Sequence, residues 1–179
     1  DDELSIILKK IDEEEVPSNF TTFYKDNKER EKIKKSKIKF NNKIIHQSKL
    51  LNYFLNKTSL PKIEKETNDL LKKIKKNKKY SFSTKDMLML ESLKSDGVKI
   101  SKKYNKLYDH KSNLPAEINS FIINGETGIV LLKLVEIIGK EEVENLDVNS
   151  ITFLVEIMNE LKIVNLRNEI LLKVLPLKV

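Results

Sequence analysis

The sequence predicts an all-α fold, and three observations carry that reading. The chain of 179 residues holds four glycines and four prolines, too few for the many turns of an all-β domain. Apolar residues recur at i, i+3, i+4 and i+7 rather than in alternation. Helix punctuation stands at the ends of those runs, with Pro61, Pro115 and Asp147 at starts and Gly97, Gly139 and Pro176 at stops. The expected architecture is a helical-hairpin array of α-solenoid type over residues 43–179, most compact from 81 to 179. Ahead of it the pattern predicts an acidic amphipathic helix over 1–20 and a basic linker or exposed helix over 21–42.

Taken in order, Leu4, Ile7, Leu8 and Ile11 share one face of the first helix, which Pro17 ends. Alone in water so short a helix is marginal, so its apolar face needs a surface to dock on. Phe20, Phe23 and Tyr24 form an aromatic cluster behind it. Lys28–Lys39 alternates charge with little apolar content and leans towards a linker. Ile44, Ile45, Leu51, Phe54 and Leu55 resume helical spacing over 44–55. Pro61 suits the first turn of the next helix, whose stripe is Ile63, Thr67, Leu70, Leu71 and Ile74. Ser83 with Asp86 three residues later is a capping-box pattern, and Asp96-Gly97 is the stop. Ile100, Tyr104, Leu107 and Tyr108 predict a further short helix, and Ile118, Phe121 and Ile122 another that ends at Asn124-Gly125. Thr127–Ile138 closes at Gly139. Asp147 and Asn165 read as N-caps of the last two helices. Apolar faces in this last third are broad, which predicts burial on more than one side.

The segments GIVLLKLVEIIG, ENLDVNSITFLVEIMNEL and LRNEILLKVLP make the last third resemble the TPR-like helical-hairpin repeats of bacterial envelope or scaffold proteins. The resemblance rests on apolar spacing. It implies a packing platform with a groove for a protein partner, and it transfers no catalytic residue.

Charge is unevenly spread. The net charge is +7, yet residues 1–20 carry net −5, residues 21–80 net +13 and residues 81–179 net −1. The basicity of one segment suggests an anionic partner for it, or an internal acidic one in the helix over 1–20. Lys72, Lys73, Lys75, Lys76, Lys78 and Lys79, with Tyr80 beside them, are the candidate anion-binding residues. The lysines would neutralise phosphates and the ring would stack. With only Arg30 and Arg167 as arginines, bidentate sequence readout is disfavoured. A solvated helix face is the competing reading. The candidate partner-binding residues are Leu4, Ile7, Leu8, Ile11, Phe20, Phe23 and Tyr24.

No cofactor is expected and no catalytic or metal site stands out. The chain has no cysteine, hence neither disulfides nor thiolate zinc ligands. His46 and His110 have no ligand spacing around them, and they read as surface or satisfied histidines. Glu141, Glu142, Glu144 and Asp147 read as capping and solvated groups. The longest apolar runs, Gly128–Leu132 among them, are too short to cross a bilayer. The chain opens at Asp1, so either a leader preceded it or it belongs to a longer protein. A leader would place it in a bacterial periplasm or envelope. The sequence thus favours a non-enzymatic module that binds a protein partner, with nonspecific nucleic-acid or anionic-surface binding through residues 21–80 as the alternative.

Overall fold

The computed structural model describes residues 43–56, 58–107, 114–139 and 141–176, all within the larger of two units, 39–179. The helix expected near the N-terminus lies outside the described residues. Among these residues there are six α-helices, four 3-10 turns and no strand.

Helix α1 (Leu60–Lys76) has Pro61 in its first turn and buries Ile63, Thr67, Leu71 and Ile74. The helix packs against the 3-10 turns Lys49–Tyr53 and Lys102–Leu107. Its flank is fastened to segment 99–103 by polar bonds. The Lys99 N–H donates to Glu64 at 2.9 Å, the Ser101 N–H donates to Asn68 at 3.0 Å, and Lys75 Nζ donates to the Lys103 carbonyl at 3.4 Å.

Helix α2 (Thr84–Ser95) opens on the full capping box: the Asp86 N–H donates to Ser83 Oγ and the Ser83 N–H donates to Asp86 Oδ2. It closes on a Schellman motif. The Val98 N–H reaches the Leu93 carbonyl and the Gly97 N–H the Lys94 carbonyl, a turn that needs the φ of +94° that Gly97 supplies. Helix α3 (Ala116–Ile123) and helix α4 (Thr127–Ile138) form a hairpin through a second such motif at Gly125.

Helix α5 (Val148–Glu160) starts where expected, with the Asn149 and Ser150 N–H groups donating to Asp147. It is the centre of the fold. It packs against α2, against helix α6 (Val164–Val174) and, less extensively, against α4. Ile151, Leu154, Val155, Ile157 and Met158 are all buried. Its C-terminal Schellman turn holds Lys162 at φ +57°. There Lys162 Nζ donates to the Ser95 carbonyl and to Ser95 Oγ, both at 3.1 Å, which ties the turn to the end of α2.

Three expectations change. Residues 44–55 form two 3-10 turns, not one helix. Ser48 is extended between them and its hydroxyl accepts the Leu50 N–H, so a side chain competes with the helical ladder. Asn165 is not an N-cap, because α6 begins at Val164 straight from the α5 turn. Broad burial holds for α5 but not for α4, which buries only Val130 and Leu134.

Candidate interaction surfaces and buried polar networks

The six candidate lysines 72, 73, 75, 76, 78 and 79 are all exposed at the end of α1. Lysines in a last helical turn are favoured by the helix dipole whatever else they do. The fold adds what the sequence order hides. The Lys75–Lys103 bond brings the turn carrying exposed Lys102 and Lys103 against the same end of α1, and Lys103 lies 5.0 Å from the Tyr104 ring. The positive surface is therefore built from two segments. Tyr80 does not belong to it. Its ring stacks edge-on to Phe82, and its hydroxyl accepts the Ile45 N–H and donates to Asp86 Oδ2, each at 3.0 Å. Burial first, then the nearby Asp86 carboxylate, pushes the phenol pKa up. The half-buried ring is thus engaged with Phe82, and its hydroxyl with Ile45 and Asp86, rather than with the lysines. Leu4, Ile7, Leu8, Ile11, Phe20, Phe23 and Tyr24 lie outside the described residues, as does His110.

His46 is a satisfied histidine. It is buried with its Nδ1 2.6 Å from Asp86 Oδ1, and its backbone N–H donates to the same oxygen at 3.0 Å. Burial pushes the Asp86 carboxyl up. The hydrogen bonds from the His46 ring and from the Ser83 and His46 backbones, with the His46 charge, outweigh it and hold the carboxyl below its ordinary range. Ser, His and Asp meet here, yet not as a nucleophile relay. Ser83 Oγ approaches the same Nδ1, at 3.3 Å, while Nε2 faces the Gln47 amide at 3.3 Å. A relay needs the base to use one ring nitrogen for the nucleophile and the other for the acid. The cluster instead fastens the 45–47 turn to the start of α2.

A second network surrounds Arg167, which is 0 % exposed. Its Nη2 lies 2.6 Å from Asp96 Oδ2, its Nη1 donates to Asn159 Oδ1 at 3.0 Å, and Asn168 Oδ1 accepts from both Nη2 and Nε. Burial, with the Asp96 carboxylate nearby, raises the Tyr53 phenol pKa. Helices α2, α5 and α6 are joined at this one cation. The sequence showed an isolated arginine. That it is one of only two arginines beside 32 lysines was the available hint, since a buried multidentate cation favours guanidinium.

Among the described residues, the most exposed apolar surface lies on the α3–α4 hairpin. Ile123 is 77 % exposed, Leu132 71 % and Val135 65 %, with Ile129, Leu131 and Ile137 also exposed. Next to it, Pro115, Ile137, Thr152, Phe153 and Glu156 line a groove of about 530 Å³ between the start of α3, the end of α4 and α5. Over 115–139 the chain carries four charged residues, Glu117, Glu126, Lys133 and Glu136, in 25 positions. The whole chain is 34 % charged, so a solvated face of this length would hold about twice as many. Exposed apolar patches rimmed by polar residues mark interaction sites.

Glu141, Glu142 and Glu144 are exposed in the connector, and Asp147 caps α5. No group of three His, Cys, Asp or Glu side chains is placed to hold a metal among the described residues. None of the described helices is long and apolar enough to cross a membrane. No family model, no curated protein and no solved structure matches this chain.

Proposed function

We propose that the chain is a non-enzymatic helical interaction module whose α3–α4 hairpin docks another protein. The observation that carries this reading is the exposure of Ile123, Leu132 and Val135 on a charge-poor hairpin. Interface cores share that depletion of charge. A TPR-like scaffold would use its hairpins in the same way, as platforms for a partner's apolar face. The test is a photo-crosslinking side chain at position 132, with position 62 on exposed α1 as control. Capture of a defined protein from position 132 and not from 62, abolished by Val135→Asp, is the expected result. Equal labelling from both positions would remove the reading.

One observation favours a second activity, nonspecific binding of a polyanion. Exposed Lys72, Lys76 and Lys79 are joined across the fold by Lys102 and Lys103. Binding of single- and double-stranded nucleic acid at low and near-physiological salt tests it. The expected signature is a steep salt dependence with little sequence preference, lost when the lysines at 72–79 are neutralised. Binding that ignores those substitutions would place the anion site elsewhere.

A further inference from the structure

Two rows of cations run side by side at helix α1. On α1 itself Lys62, Lys65, Lys72 and Lys76 are exposed and fall at i, i+3, i+10 and i+14. They therefore share one face, with exposed Asp69 among them. Exposed Lys73 borders that face, and exposed Lys78 and Lys79 follow the helix end. From Lys62 to Lys76 the row is about 21 Å long at the helical rise.

The other row is Lys99, Lys102 and Lys103, all exposed. Four bonds lay segment 99–103 along α1. The Lys99 N–H donates to Glu64 Oε2 and Asn68 Nδ2 donates to the Lys99 carbonyl, each at 2.9 Å. Further along, the Ser101 N–H donates to Asn68 Oδ1 at 3.0 Å, and Lys75 Nζ donates to the Lys103 carbonyl at 3.4 Å. The partners on α1 advance from 64 through 68 to 75 as the segment advances from 99 to 103, so the rows run in the same direction. By helical spacing, Glu64, Asn68 and Lys75 lie on one flank of α1, between its buried stripe and its lysine face. The rows are therefore separated by about one helix diameter, about 10 Å.

Few acids offset these cations. Helix α1 and segment 99–103 together hold nine lysines and three acids, Glu64, Glu66 and Asp69. Glu64 is engaged by the Lys99 N–H, and Glu66 pairs with Lys49 at 3.2 Å. A face that serves only for solvation mixes the two signs more evenly.

We propose that the two rows straddle a groove of double-stranded DNA, each row on the phosphates of one strand. The proposal rests on the reading of these lysines as a polyanion site and names the polyanion. A single strand offers one line of phosphates, whereas a duplex offers two lines across each groove. A separation of about 10 Å falls between the widths of the minor and major grooves of B-DNA, about 6 and 12 Å. At about 3.4 Å per phosphate along one strand, a row of about 21 Å passes about six phosphates. Lysine heads are point charges without the guanidinium fork, so the contact neutralises phosphates and reads no bases.

The test uses the full chain at near-physiological salt with three probes: a DNA duplex of mixed sequence, a single strand of the same total charge, and vesicles rich in phosphatidylserine. The duplex should bind more tightly than the charge-matched single strand by about tenfold or more, a difference of at least about 1.4 kcal/mol. Lys102→Gln with Lys103→Gln removes the side row. Duplex affinity should then fall by about tenfold, and the slope of log affinity against log salt should flatten by about two. Single-strand affinity should change by less than about threefold, because one row remains. Lys65→Gln with Lys72→Gln should weaken both nucleic acids, and Lys133→Gln on α4 should weaken neither. All five side chains lie on the surface of the described structure or close to it, so the far-UV spectrum should not change. A charge-matched single strand that binds as tightly as the duplex overturns the proposal. So does duplex binding indifferent to the 102 and 103 pair, or binding to vesicles with none to DNA. In each of these cases loss of binding on neutralising residues 72–79 keeps the polyanion reading. No binding to any of the three probes ends both.

Discussion

The hairpins α3–α4 and α5–α6 are built from similar material and meet opposite fates. Both are two short helices with a three-residue connection. Both are rich in Ile, Leu and Val. In α5 nearly every position from Leu154 to Asn159 is buried, whereas in α4 Leu132 and Val135 face outward. The buried hairpin carries the more charge: seven of residues 147–175 are charged, against four of residues 115–139. Apolar density therefore did not decide which hairpin would be covered. The difference lies in the neighbours. Helix α5 has α2 on one side and α6 on another, and Arg167 joins all three. Lys85 adds a further tie, donating to the Val174 carbonyl at 2.7 Å, where a cation suits the helix C-terminus. The face of α4 opposite its buried residues has no such neighbour among the described elements.

Three substitutions would break or sharpen that contrast. The largest effect is expected at Arg167. Arg167→Met leaves the Asp96 carboxylate, 8 % exposed at its side chain, without its cation. Removing one partner of a buried pair costs about 3–5 kcal/mol. Urea unfolding should show that loss, and adding Asp96→Leu should recover part of it, because removing both charges ends the desolvation penalty. A single variant as stable as the parent would mean that the network does not hold the three helices.

A direct comparison of the hairpins comes next. Leu154→Ala, at a fully buried site of α5, should cost about 2–5 kcal/mol through lost transfer energy and the cavity left behind. Leu132→Ala on α4 should stay within about 0.5 kcal/mol, as surface changes do. Measured in dilute solution, equal losses would mean that α4 is covered within the single chain.

The smallest of the three concerns the fastening of the 45–47 turn. Asp86→Asn keeps shape but removes the charge that accepts from His46, Tyr80 and Ser83, at a cost of about 1–3 kcal/mol. The pH dependence has a definite sign. The Asp86 carboxyl lies lower in the folded chain than in the unfolded one, so its contribution is complete above the unfolded value of about 3.9. It fades as pH falls through the folded value, because protonation then costs the native state more. Asp147, held low by the Ser150 side chain and by the Ser150 and Asn149 N–H groups, acts in the same direction. Acid titration of stability should therefore be shallower in Asp86→Asn, yet not flat. A variant with the parent's full acid slope would exclude Asp86 from the linkage.

Much of the framework was legible in the sequence because its signals are local. Pro61, the Ser83–Asp86 box, Asp96-Gly97, Asn124-Gly125, Gly139 and Asp147 mark helix ends through groups a few residues apart. Ile63, Thr67, Leu71 and Ile74 declare a buried stripe by spacing alone. Legibility failed where a local preference met a competing partner. Ser48 broke the 44–55 segment, and a Lys at the left-handed position of the α5 turn hid a motif that usually carries glycine. The candidate site was legible in its lysines but not in its extent, because Lys102 and Lys103 join them across the fold. Tyr80 was drawn away from them by Asp86, only six residues along but bonded through a core-facing network.

By itself, then, the sequence determined where most of the described α-helices start and stop and which segment of the chain is basic. Those properties depend on hydrogen bonds and dipoles within a turn or two and on the count of charges. The tertiary structure decided which apolar faces are covered, that Arg167 is an interior cation, and that His46 is held by Asp86 forty residues away. Burial is a property of pairs of distant surfaces. Two hairpins of similar apolar composition present much the same pattern to a reader of the chain until the neighbours of each are known.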